Sequence, residues 1–234
     1  AGVNNGWMFA FACLHHALYA EERLELYLDA IRAAMRSDPD RLMIGEVRDR
    51  VTANLALSAS ISGHQVWTTI HCSSVHSIAL RMVELGADRA VIFGSDELQM
   101  LGAQVLVPLL CPHCKSKASE AKMAGLIDAE QLSRCTSVFG QDFFVAGAGC
   151  DNCNGGIKGR TVLAEVIRPD DDYLKALREG GMSAAREFCK RRGEPSILEV
   201  GHRKVARGLV SPLDVLSRVA LSRIAVDVAQ RPAA

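Results

Sequence analysis

The chain has 234 residues, room for one large domain or two small ones, and 49% hydrophobic against 23% charged residues is the balance of a globular chain rather than a disordered one. Lys plus Arg and Asp plus Glu both number 27, so the formal net charge is zero, which argues against a dedicated nucleic-acid binder with its basic excess. No apolar run approaches the roughly 18 to 20 residues that span a bilayer. The start, 1–12, lacks a basic n-region and a cleavage-like site, so no signal peptide is read there. The first residue is not Met, which suggests a fragment or a processed chain.

Residues 1–20 are hard to place: Asn4-Asn5-Gly6 suggests a turn, and His15-His16 sits in an apolar stretch. Leu24, Tyr27, Leu28, Ile31 and Met35 then recur at helical spacing, and Ser37-Asp38-Pro39-Asp40 closes that helix because Pro disfavours helix at the residue before it. Leu42-Met43-Ile44, closed by Gly45, predicts a buried strand of a parallel sheet. Val51 to Ile61 predicts a helix, Gln65 to Ile70 a strand, and Val75 to Leu85 a helix stopped by Gly86. This alternation with short connections predicts an α/β sheet. Beyond Leu110 a polar, partly helical stretch lies between two CxxC pairs, with glycines around the second pair. Arg160 to Ile167 alternates as a strand. From Asp170 three or four short helices are predicted, with breaks near Gly180-Gly181, Gly193-Glu194-Pro195 and Gly208 to Pro212.

Four segments carry candidate chemistry. In Arg41-Leu42-Met43-Ile44-Gly45-Glu46-Val47-Arg48-Asp49 an apolar strand delivers a carboxylate at its C-terminal end, where nucleotide-hydrolysing α/β proteins place an acid near Mg²⁺ and the attacking water; a strand followed by a solvated charged turn gives the same pattern. His64 and His71 flank the next strand, and an imidazole there can donate to a phosphate or serve as an ordinary structural residue. Arg32 and Arg36 lie one turn apart before the first strand, and Arg160 follows the second knuckle; arginine can clamp a phosphate across a subunit boundary or simply be solvated. Of the eight cysteines, Cys111, Cys114, Cys150 and Cys153 form two CxxC knuckles, which favour one closed structural Zn²⁺ over an iron–sulfur or redox use, with His113 an exposed bystander. Cys13, Cys72, Cys135 and Cys189 are scattered, as free thiols in a reducing compartment would be.

Taken in order, Leu28 to Asp49, Ala59 to Ser74 (ASISGHQVWTTIHCSS), Cys111 to Cys153, and Gly159 to Val166 (GRTVLAEV) resemble the Walker B stretch, the His box, the tetracysteine region and the following strand of the type II secretion and type IV pilus assembly ATPases. The resemblance implies an α/β, RecA-like ATPase core, partial from Walker B and His box onward. It divides the chain into that core over 1–110, a zinc-binding tetracysteine subregion over 111–158 and a C-terminal strand and helical region over 159–234. It assigns Glu46 to the attacking water, His71 to the γ-phosphate, and Arg32, Arg36, Arg48 and His64 to the nucleotide or a subunit interface. It implies ATP, Mg²⁺ and Zn²⁺. It also implies a homo-hexamer in the cytoplasm, peripheral at the inner membrane, working on a platform protein of a pilus or secretion machine, with no stable nucleic acid.

This sequence departs from the family pattern in places. No G-x-x-x-x-G-K-[ST] occurs, and the first lysine is Lys115, so these residues alone are expected to hydrolyse ATP negligibly. Val105 and Pro108 stand where basic residues are expected, and Cys72-Ser73 stands in place of Thr-Asn. Two other functions are compatible with the motifs: a non-catalytic zinc-containing ring or interaction module, and a ring ATPase that moves DNA.

Overall fold

The computed structural model describes residues 8–12, 22–94 and 97–219; the expected turn at 4–6 and the His15-His16 pair lie outside them, as does Cys13. The main sheet has five strands, β1 (Met8–Ala12), β2 (Arg41–Val47), β3 (Gln65–Ile70), β4 (Leu98–Leu110) and β7 (Ile157–Ile167), in the order β2-β3-β1-β4-β7. β5 (Ser116–Lys117) and β6 (Phe144–Val145) form a separate antiparallel pair. β1 pairs in parallel with both β3 and β4, and β2 in parallel with β3. Two compact units result, Ala1–Ala103 with Val166–Glu194 and Gln104–Glu165 with Pro195–Ala234. Each is built from two stretches of chain.

In the first unit, α1 (Glu22–Met35) buries Leu28 and Ile31 from the stripe predicted for it; the side chains of Leu24 and Tyr27 lie outside the described residues. The strand at Leu42 is longer than expected and alternates. Leu42, Ile44 and Val47 are buried while Met43 is 67% exposed, because β2 is the last strand of the sheet order and packs on one face only. α2 (Arg50–Ile61) presents Ala53, Ala56 and Ala59 to the sheet with no residual exposure, and such small side chains let the helix lie close. A 3₁₀ turn (Val75–Ser77) leads into α3 (Ile78–Glu84), followed by α4 (Arg89–Gly94). α7 (Asp171–Arg191) is a helical hairpin. Gly181 adopts φ 68° and ψ −167°, outside helical space, and Arg192 beyond one end reaches Asp170 before the other at 2.7 Å. A straight helix of that length would part them by about 30 Å.

In the second unit, Val107, Ala121, Phe143, Leu163, Val205 and Val215 make one buried cluster. Around it stand α5 (Ala118–Met123), α6 (Ala129–Phe139), α8 (Ile197–Ala206) and a last helix over 212–219. Asp128 and Ser196 start α6 and α8 with reciprocal caps through Gln131 and Glu199. The breaks expected at Gly180-Gly181, Gly193-Pro195 and Gly208-Pro212 separate these helical pieces.

Candidate functional site

Glu46 and His71 come from neighbouring parallel strands. Ile44 pairs with Thr68 and Val47 with Ile70, so β2 spends one residue more than β3 over Gly45-Glu46. Such a bulge re-aims a side chain at a strand end. It sets Glu46 at the C-terminal edge of β2, beside His71, which directly follows β3. Thr69 Oγ1 donates to the Gly45 carbonyl at 2.6 Å and ties the bulge to β3.

The Glu46 carboxylate is half-buried, at 18% side-chain exposure, between two basic groups. Oε2 pairs with the Arg48 guanidinium, and Oε1 lies 2.6 Å from His71 Nε2. Oε1 itself is buried. Arg48 is fixed from the other side. The Thr52 hydroxyl accepts from the backbone N–H of Arg48 and of Asp49, both at 3.3 Å, and Asp49 caps α2 by accepting from Thr52 N at 2.9 Å. A carboxylate held beside a fixed cation and an exposed imidazole can orient or deprotonate a water at a strand-end cleft.

The structure does not bring the remaining candidates to this edge. His64 sits at the opposite end of β3, about 23 Å along an extended chain from His71. It is buried, with Nδ1 3.1 Å from both the Ala59 carbonyl and Ser62 Oγ, and closes the α2–β3 turn. Arg32 is exposed and pairs with Asp29 of its own helix at 2.9 Å. Arg36 is exposed just past α1, and Arg160 is exposed on β7.

The four knuckle cysteines converge in the second unit, with all four sulfurs within 4.8 Å of one another. Cys111–Cys150, Cys114–Cys153 and Cys150–Cys153 are 3.8, 3.6 and 3.7 Å apart. A tetrahedral zinc with bonds of about 2.3 Å has S···S edges of about 3.8 Å, whereas a disulfide needs about 2.05 Å. The four thiols therefore have the spacing of a tetrahedral metal ligand set. Backbone geometry builds it: Cys111 N–H donates to the Gly156 carbonyl at 2.8 Å, and Cys150 N–H points at Cys153 Sγ at 3.3 Å. A Cβ on Gly147 would collide with the Cys114 carbonyl, and one on Gly156, at φ 82°, would meet the Gly147 carbonyl at 2.6 Å. Burial and the neighbouring thiols push Cys114 up to about 12. Cys153, although burial opposes it, is brought down to about 7 by the backbone N–H groups of Cys150 and Gly156. His113 is exposed.

Sequence reasoning missed Lys115, whose ammonium donates to the Gly208 carbonyl at 2.7 Å and lies 4.5 Å over the Phe144 ring, pinning the first knuckle to the end of α8. A lysine directly after a ligand cysteine was the available signal.

Residues 18–221 match the sequence profile described as type II/IV secretion system protein. The chain belongs to this family. Over 205 residues it is 34% identical to the type IV pilus assembly ATPase TfpB of Acinetobacter baylyi, covering 84% of this chain and 33% of that protein. Over 191 residues it is 35% identical to the type II secretion system protein E of Pseudomonas aeruginosa, covering 80% and 36%. The chain thus spans about a third of the curated relatives it matches. Among solved structures, the pilus retraction motor PilT with bound ADP aligns with a TM-score of 0.56 at 18% identity, over 92% of this chain and 54% of that one. The Legionella pneumophila ATPase DotB aligns at 0.53 and 19%, over 92% and 52%. At such identity the likeness shows the fold, the RecA-like α/β fold of secretion ATPases.

Proposed function

We propose that these residues form the Walker B and His-box part, with the C-terminal region, of an ATPase that powers type IV pilus assembly or type II secretion. The observation that carries this is the Glu46 carboxylate at the C-terminal edge of a parallel sheet, held between Arg48 and His71. Glu46 orients the attacking water and accepts its proton. His71 contacts the transferring phosphate. Arg48 holds Glu46 in place, and Arg32 and Arg36 face a neighbouring subunit. Mg²⁺, when bound with ATP, neutralises phosphate charge near Glu46. No G-x-x-x-x-G-K-[ST] occurs within these 234 residues, so they do not themselves supply the phosphate cradle. Zn²⁺ on Cys111, Cys114, Cys150 and Cys153 holds the second unit in shape and takes no part in the chemistry, since four thiolates leave no open position.

A homo-hexamer docked on an inner-membrane platform protein from the cytoplasmic side is the assembly this reading implies. The relatives' names, a type IV pilus assembly ATPase and a type II secretion system protein, support the link to such a machine; among the described residues no helix is long and apolar enough to cross a membrane. The test is ATP turnover by the full-length protein. Glu46→Gln is expected to lower it at least about a hundredfold with nucleotide binding retained. Turnover insensitive to Glu46→Gln would remove the catalytic assignment of Glu46, and no turnover by the full-length wild type would leave the non-catalytic ring module.

A further inference from the structure

Outside the site described above, the first unit buries an imidazole against a phenol. His76, 3% exposed, points Nδ1 at the Tyr173 hydroxyl at 3.1 Å, with the two rings 6.0 Å apart. Tyr173 has no exposed surface and stands in the first turn of α7, where its own N–H is capped by Asp170 at 2.9 Å. The contact joins residues 97 apart in sequence. Burying a phenol and an imidazole costs free energy unless they bond to a partner.

The segment between His71 and His76 is closely tied by its own hydrogen bonds. Cys72 Sγ reaches the Ser74 carbonyl at 3.5 Å. Ser74 Oγ accepts from His76 N–H at 3.3 Å, and Ser77 Oγ donates to the Ser74 carbonyl at 2.7 Å while accepting from Ser74 N–H at 3.2 Å. Val75 is 1% exposed. A displacement of His76 therefore has little slack to absorb it before it reaches His71, the residue beside Glu46. At the other end, Tyr173 belongs to a hairpin clasped at its base by the Asp170–Arg192 pair, with Arg192 also on Glu194 at 2.8 Å.

We propose that Tyr173 is a positioning residue: through its hydrogen bond to His76 it holds the 71–77 loop, and with it the His71 imidazole, against Glu46. This rests on the ATPase reading for its catalytic consequence but not for its structural content. In the full-length protein, Tyr173→Phe removes only the hydroxyl. Its ATP turnover number is expected to fall about tenfold with KM for ATP little changed, because a displaced catalytic group costs rate rather than binding. Hydrogen exchange over 72–77 is expected to rise at least about threefold while β2 and α2 keep their protection. His76→Ala should behave alike. His76→Asn, which puts an amide where Nδ1 stood, should restore most of both. Wild-type exchange over 72–77 in Tyr173→Phe, or a turnover unchanged beside a lower melting temperature, would overturn the proposal and leave the pair a packing contact. If wild-type turnover is indifferent to Glu46→Gln, the catalytic assignment of Glu46 falls, and the exchange comparison still decides whether Tyr173 orders this loop.

Discussion

The strand-end cleft and the cysteine cluster each gather charged or ionisable groups, yet they are built in opposite ways. Glu46, Arg48 and His71 lie within 26 residues of one another, on the edge of a sheet whose backbone is complete without them; His71 is 43% exposed and Arg48 33%. The four cysteines span 43 residues, and the loops that carry them close on each other through glycines that tolerate no side chain. The first arrangement leaves the Arg48 and His71 side chains partly open to solvent, as a reaction site must. The second turns its sulfurs on one another, and only a cation at their centre lets all four ionise. Stability should therefore depend heavily on the cluster and little on the cleft.

The largest effect is expected from Cys150→Ser. In closed sulfur sites metal binding is folding free energy, on the order of 10 kcal/mol in zinc-finger peptides, so losing one thiolate should empty the site and loosen β5, β6 and the α8 end pinned by Lys115. Metal analysis should drop from one zinc per chain to near zero, with protease cutting appearing between 111 and 158. Retention of stoichiometric zinc by Cys150→Ser would show that the four sulfurs do not act as a set. Gly147→Ala is next. Its Cβ meets the Cys114 backbone carbonyl, which cannot rotate away, so a loss of about 2 to 4 kcal/mol is expected with zinc weakened but not abolished. A melting temperature equal to wild type would mean the loop has room that these contacts deny.

The same contrast explains what the sequence made legible. Helix α2, strand β3, the helical breaks at Gly181, Gly193 and Gly208 and the CxxC ligand set were readable because turn chemistry and metal spacing are local signals. The strand β1 was not: Met-Phe-Ala-Phe-Ala is five residues without alternation, and its identity as the strand between β3 and β4 depends on pairing with partners more than 50 residues away. Strand β4 was also missed. In the cleft, Glu46 and His71 were found as types at strand ends, but the bulge that turns Glu46 toward His71 exists only in the register between two strands. Gly45 was its one sequence trace. His64 was read at the start of β3, where it stands, but that it closes the α2–β3 turn through Ala59 and Ser62 shows only in the folded chain.

Glu46→Gln should sharpen the comparison from the other side. It removes a charge facing Arg48 and His71, whose side chains are 33% and 43% exposed and can be solvated without it, and the stability change is expected to stay within about 1 kcal/mol. Equal melting curves beside lost turnover would separate reaction site from structural site in one variant. A large destabilisation would instead make Glu46 part of the scaffold.

The smallest expected effect concerns Cys72, directly after His71 and on the cleft side of the comparison. Burial pushes its thiol up to about 11 from 9.0, with hydrogen bonds from Ser77 and Ser74 opposing only in part. The raised value means the folded chain holds this proton more tightly than the unfolded chain does. The associated stability is complete below about pH 9 and is lost as the pH climbs from there through 11. At pH 8 the thiolate fraction should be about a hundredfold below that of a free thiol, so iodoacetamide should label Cys72 in denatured protein within minutes and in native protein only slowly. Mass spectrometry of the 71–81 peptide reads both rates. Equal rates would place Cys72 in solvent and, because Cys72 shares its loop with His71, would mean that the ordered segment between His71 and His76 opens readily in solution.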